Sequence, residues 1–164
     1  MAWQGQTQEG IELIRRGSTA SEAAGARVFR SHFLTDLAEA LLIAARFEEG
    51  LTTVAEATAI AEETGTRLYD ARLLRLKGEL LLALDSSNAA AAERSFREAI
   101  AVGSRQSTKL FQLRATTSLA RLLAKQGNRD EARAMLEEIY GWFTEGFDTA
   151  DLKKANALLD ELNG

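Results

Sequence analysis

The chain of 164 residues reads as all-α, a stack of paired helices, on three observations. It contains no proline, it is rich in alanine and leucine, and one apolar pattern returns every ~40 residues. Proline would break a helix interior, whereas Ala and Leu lose little on entering one. Alternating runs of Val, Ile and Thr, the mark of strands, are missing. With 46% hydrophobic and 27% charged residues the chain belongs with folded proteins and can bury one continuous core.

The first helix of each pair is found by sliding the sequence along itself. GARVFRSHFLTDLAEALLIA from Gly25, GTRLYDARLLRLKGELLLAL from Gly65 and STKLFQLRATTSLARLLAKQ from Ser107 superimpose. Each shows an apolar-aromatic pair, Val28-Phe29, Leu68-Tyr69 and Leu110-Phe111. Each then places a small residue where two helices must approach closely, at Ala38, Gly78 and Ala120. Leu41, Leu81 and Leu123 follow one turn along the same face. The second helices align too. Small residues Gly50, Ala92 and Ala132 are followed by Val54, Phe96 and Leu136, then by Ala57, Ala99 and Ile139, the spacing of a stripe packed on the preceding helix. The second copy is longer by Ser86-Ser87, placed in a turn, where insertion is cheapest. In GNRDEA, Gly127 ends one helix, and Asn128 or Asp130 can cap the next.

The two ends differ from the repeat. GQTQEGIELIRRG from Gly5 matches a second helix with Gly10, Ile14 and Gly17 in the stripe, so the chain is expected to start mid-repeat. Trp3 is then expected to be exposed at that edge. Thr149 or Asp148 can cap a last helix, Ala150 to Leu162, whose Leu152, Ala155, Leu158, Leu159 and Leu162 form one apolar face. The expected organisation is a half repeat over 1–24, repeats over 25–64, 65–106 and 107–145, and a capping helix over 146–164.

The small close-approach residue and the A-x₃-F-like second helix resemble the tetratricopeptide pattern. That resemblance implies a superhelical stack of antiparallel helical hairpins with a C-terminal capping helix. The period exceeds the usual ~34 residues, which implies longer helices or turns. In such stacks the first helices line the concave side. The inward residues should lie six and three before, and one and four after, the small residue. This gives His32, Thr35, Glu39 and Leu42, then Arg72, Arg75, Glu79 and Leu82, then Arg114, Thr117, Arg121 and Ala124. Four arginines against two glutamates make a basic groove in a protein of net charge −4. The planar guanidinium fork suits carboxylates and phosphates. The competing expectation is that these charges pair across helices, Glu39 with Arg75 and Glu79 with Arg121 or Arg114. Residues 105–133 are mostly basic and 134–164 mostly acidic, and the two segments are expected to neutralise each other.

AEALLIAARFEEGL, LYDARLLRLKGELLLAL and above all YGWFTEGFDTADL resemble the C-terminal tetratricopeptide region of large bacterial signalling ATPases, many of them fused to a class III adenylate/guanylate cyclase domain. The resemblance implies a cytoplasmic, regulatory domain that binds a protein or peptide partner or other domains of its parent. Alternatives are a sensor for a small anionic ligand and homo-oligomerisation through the half repeat at Ile11 and Ile14. The parent's catalytic parts are not expected here, since no phosphate-binding G-x-x-x-x-G-K-[ST] loop occurs. There is no cysteine, and His32 is the only histidine, so neither a zinc site nor a thiol nucleophile is expected, and no cofactor. The net charge argues against nucleic acid or membrane surfaces as partners, and no apolar run of ~18 residues occurs. Trp142, Phe143 and Phe147 are expected to be buried where they dock the last helix rather than to form a ligand cage.

Overall fold

A computed structural model describes residues 2–23 and 27–164. The opening of the first copy at Gly25 and the side chains of Trp3 and Val28 lie outside the described residues. Among the described residues eight α-helices follow one another: α1 (Ala2–Ala23), α2 (Arg27–Ile43), α3 (Phe47–Thr64), α4 (Asp70–Leu84), α5 (Ala89–Arg105), α6 (Lys109–Lys125), α7 (Arg129–Tyr140) and α8 (Ala150–Asn163). The inserted Ser86-Ser87 forms a short 3₁₀ turn, Ser86–Asn88, held where the Asp85 carboxylate accepts from the Ser87 amide at 2.7 Å. No strand occurs among the described residues.

Every helix packs on the next in sequence. In addition α2 touches α4, α4 touches α6, and α6 touches α8, whereas among the described residues no such contact joins α1 to α3, α3 to α5 or α5 to α7. The even helices therefore form a seam. One apolar cluster runs from Ile11 to Leu80 and a second from Ala92 to Leu162, so α4 and α5 are where the two meet.

The small residues explain how closely the helices approach. A Cβ on Gly78 would lie 2.5 Å from Cε1 of Phe96, which is fully buried, and one on Gly50 would lie 2.6 Å from a methyl of Leu80. Ala38, Ala92, Ala120 and Ala132 are also fully buried, as are Leu41, Phe96, Ala57, Ala99 and Leu136 of the aligned stripes. The five apolar residues of α8 are buried against α6 and α7.

Helix ends repeat as well. After α2, α5 and α6 the chain turns through a left-handed residue, Ala45, Ser107 and Gly127, at φ 56°, 57° and 88°. At each, the next amide reaches five residues back: Arg46 to the Leu41 carbonyl, Thr108 to Gly103 and Asn128 to Leu123, all at 2.9 Å. This closes the last turn and satisfies a carbonyl that would otherwise be orphaned. Ala45 and Gly127 occupy one register position of the repeat, and Ser107 occupies that of Gly65, which is also left-handed at φ 70°.

Several expectations need correction. Asn128 and Thr149 stand at the starts of α7 and α8 but make no side-chain cap; the Thr149 hydroxyl donates instead to the Gly146 carbonyl at 2.7 Å. A Cβ on Gly10 would meet nothing within 4 Å, so Gly10 is not a close-approach site. From α1, Ile11 is fully buried in the core and Ile14 packs partly buried against it. Trp142 and Phe147 are 57% and 46% exposed, because the long α7–α8 turn carries them away from the core, and Phe143 and Tyr140 are the aromatics that pack on it.

Denaturation tests this packing. Gly78→Leu forces a branched side chain into the space of Phe96 and is expected to cost at least ~3 kcal/mol in urea unfolding. The reciprocal change Ser107→Gly relieves a left-handed residue and is expected to raise stability by about 1 kcal/mol, because L-residues carry that penalty at positive φ.

Candidate functional site

The seam of even helices carries a cleft of about 580 Å³. Glu39 and Leu42 of α2, Arg72, Arg75 and Glu79 of α4, and Leu113, Arg114, Thr117, Ser118 and Arg121 of α6 line it, with Ala150, Asp151 and Lys154 of α8 at its far end. Seven of the nine polar and charged residues singled out from the sequence therefore come together. The other two do not. Thr35 is fully buried and its hydroxyl donates to the Ser31 carbonyl at 2.7 Å. His32 lies outside the lining, its ring stacked on Tyr69 with centroids 4.9 Å apart and its Nε2 3.6 Å from Asp36.

Thr35 shares the register position three before the small residue with Arg75 and Thr117, which do line the cleft. Thr35, Arg75 and Thr117 all turn toward the neighbouring helices and are 0%, 9% and 6% exposed. A threonine there spends its hydroxyl on its own helix, as Thr117 does on the Leu113 carbonyl at 2.8 Å. An arginine is long enough to reach the cleft from a buried stem.

The α2–α4 end is a closed ion-pair network. Arg72 bonds Glu39 and reaches Asp36 at 2.7 Å, while Arg75 donates to Glu39 at 2.9 Å and lies 3.6 Å from Glu79. Ser118 donates to Glu79 at 2.5 Å from across the cleft. Of the expected pairs, Glu39 with Arg75 is present. Glu79 meets Arg75 and Ser118 instead of Arg114 or Arg121. Partial burial alone would raise the pKa of Glu39, but hydrogen bonds and charge from Arg72 and Arg75 outweigh it and hold the carboxyl below its ordinary range. Burial works to lower the pKa of Arg72, and Glu39 and Asp36 outweigh it in the same way, raising it.

The α6–α8 end is open. Arg114 donates through Nε and Nη2 to one carboxylate oxygen of Asp151, at 3.0 and 2.7 Å. This pair joins the basic segment to the acidic one. Arg121 and Lys154, both exposed, have no hydrogen-bond or ion-pair partner among the described residues. Leu113, Ser118, Ala150, Asp151 and Lys154 are the lining residues that sequence reasoning missed. Asp151 and Lys154 sit on a helix that follows residues 141–149, a turn outside the repeat register, so no copy-to-copy alignment points to them.

Among the described residues no group of three His, Asp or Glu side chains converges as a metal site would require, and no helix is long and apolar enough to cross a membrane. A scan against protein-family models finds no match, and a search of curated proteins finds none.

Acid unfolding reads the network directly. A carboxylate whose folded pKa is depressed contributes stability above its unfolded pKa and loses it as pH falls through the folded value. Glu39→Gln is therefore expected to be less stable than the parent at pH 7, with the gap closing as pH falls below the ordinary glutamate value of about 4.3. A gap that is constant with pH would show that Glu39 contributes only packing.

Proposed function

We propose that this chain is a non-catalytic, regulatory helical-repeat domain that holds an acidic polypeptide segment, of a partner or of its own parent protein, in the even-helix cleft. The observation that carries the reading is the division of the cleft. One end has its charges satisfied internally, and the other presents Arg121 and Lys154 without partners beside an Arg114 held by a single carboxylate. Cations free at one end of a concave surface attract anions, and internally paired ones do not.

The seam of even helices, the absence of contact between the odd ones and the repeated helix ends are what a tetratricopeptide-like superhelical stack would produce, and they support that arrangement. The likeness of YGWFTEGFDTADL and the repeats to the C-terminal region of bacterial signalling ATPases and cyclases supports a cytoplasmic parent of that kind. In this reading nucleotide chemistry belongs to the parent's other domains, and the purified chain turns over no ATP. A second reading, a sensor for a small anion, is favoured by the same unpartnered Arg121 and Lys154, since a compact ligand could bridge them. Self-association is less supported, because Ile11 is covered by α2.

Titration with a fluorescent poly-glutamate probe at low salt tests the cleft. Arg121→Gln with Lys154→Gln is expected to weaken binding about tenfold and to leave the melting temperature unchanged, since exposed charges contribute little to stability. Asp151→Asn releases Arg114 and is expected to tighten binding. Raising the salt should narrow all these differences as screening shortens to ~8 Å near 0.15 M. Binding that survives the double change at full strength would place recognition elsewhere.

A further inference from the structure

The extra residues of the second repeat have a structural consequence beside the cleft. Ser86, in the 3₁₀ turn they form, stands on the rim of a second cavity of about 440 Å³ between the end of α4, the start of α5 and α6. Leu82, Ala83, Ala89 and Leu122 line it around the buried ring of Phe96, together with the polar Lys125 and Gln126. It also contains Glu79, Ser118 and Arg121, and these three line the charged cleft as well. The two cavities are neighbours across one shared wall, and Arg121 stands on both sides of it. Neither equivalent turn, residues 44–46 or 126–128, holds a 3₁₀ segment.

We infer that the cleft and this aliphatic cavity form one composite site for an acidic polypeptide segment carrying an aliphatic side chain among its carboxylates. The inference rests on the cleft reading above and specifies its occupant. Charge complementarity places the carboxylates at Arg121 and Lys154, the cleft's cations with no partner among the described residues. The neighbouring aliphatic side chain then enters between Leu82, Ala83 and Ala89, which are exposed or half-buried and so still hydrated in the free protein. Covering them removes apolar surface from water, whereas a purely acidic segment would leave them wet. A small anion fills only the charged end; a polypeptide reaches both because successive side chains project from one backbone. Arg121 sets the junction, where its guanidinium can hold a carboxylate while its stem borders the aliphatic wall.

Three synthetic peptides test this on the ¹⁵N-labelled chain at low salt: one with a single leucine between glutamates, a twin with glycine for the leucine, and a twin with glutamine for the glutamates. The leucine peptide is expected to bind about tenfold more tightly than the glycine twin, the effect of covering one aliphatic side chain. Amide shifts at Leu82, Ala83 and Ala89 should appear with the leucine peptide alone. The glutamine twin should bind most weakly. Ala83→Gln, at an exposed position, should remove the advantage of leucine without changing the affinity for the glycine twin. Arg121→Gln should weaken both acidic peptides by the same factor. Equal affinities for the leucine and glycine peptides, with shifts confined to Arg114, Arg121 and Lys154, would overturn the composite site and leave the cleft reading standing. No shift with any peptide up to millimolar concentration would overturn both.

Discussion

The ring of Phe96 lies against the backbone of α4 at Gly78, in the space a Cβ would take. Most of what surrounds the cleft depends on that approach. It brings α5 onto α4 and joins the two apolar clusters, Ile11 to Leu80 and Ala92 to Leu162, into one body. It also fixes where α6 lies relative to α4, because α6 packs on both α4 and α5. Ser118 can then reach Glu79, and Arg121 can stand over the wall between the two cavities. The close approach at Gly78 thus helps to place the polar surface that α4 and α6 share. Close-packed interiors transmit such constraints because they have few voids in which to absorb them.

Charge is arranged on this frame in two ways. Between α2 and α4 acids and bases satisfy each other, and Arg75 is nearly buried among them. Removing one member of such a set leaves its partners desolvated, which costs more than the pair contributes. Between α6 and α8 the one bond of this kind among the described residues is Arg114 to Asp151, and Arg121 and Lys154 face water. The same residue type therefore performs different work along one surface, holding helices together at one end and leaving donors free at the other. Net charge, which is −4 for the chain, carries no trace of this division.

Much of the architecture was legible because it follows from spacing. Ala38, Gly78 and Ala120 announce close helix contacts by size alone, and the stripes through Val54, Phe96 and Leu136 announce the buried faces. The insertion at Ser86-Ser87 was legible as a turn, though not as the rim of a cavity, since that depends on how α4, α5 and α6 meet. The site was legible along α4 and α6, where every polar residue singled out lines the cleft. On α2 only Glu39 does, and Thr35, at the register of Arg75 and Thr117, is fully buried. Register gives the direction of a Cα–Cβ bond and does not tell how neighbouring helices cover it. Asp151 and Lys154 could not be read at all, because α8 follows a turn with no counterpart in the other repeats. The aromatic string before it misled for a related reason: Trp142 and Phe147 are hydrophobic, but the turn that carries them runs outside the core.

The seam of even helices has a mechanical side. Adjacent pairs are joined along α2, α4, α6 and α8 and have no direct contact along α3, α5 and α7 among the described residues. Along the other edge each odd helix is held by the even helix that follows it, α3 by α4, α5 by α6 and α7 by α8. Rotation of one pair on the next therefore shifts these odd-to-even contacts and changes the separation of the odd helices. The charged cleft lies along the seam, where α2, α4, α6 and α8 contribute side by side. A small change in spacing there is magnified at the odd helices in proportion to their distance from the seam. The edge where like helices do not touch, among the described residues, is thus the one where displacement at the cleft would be largest.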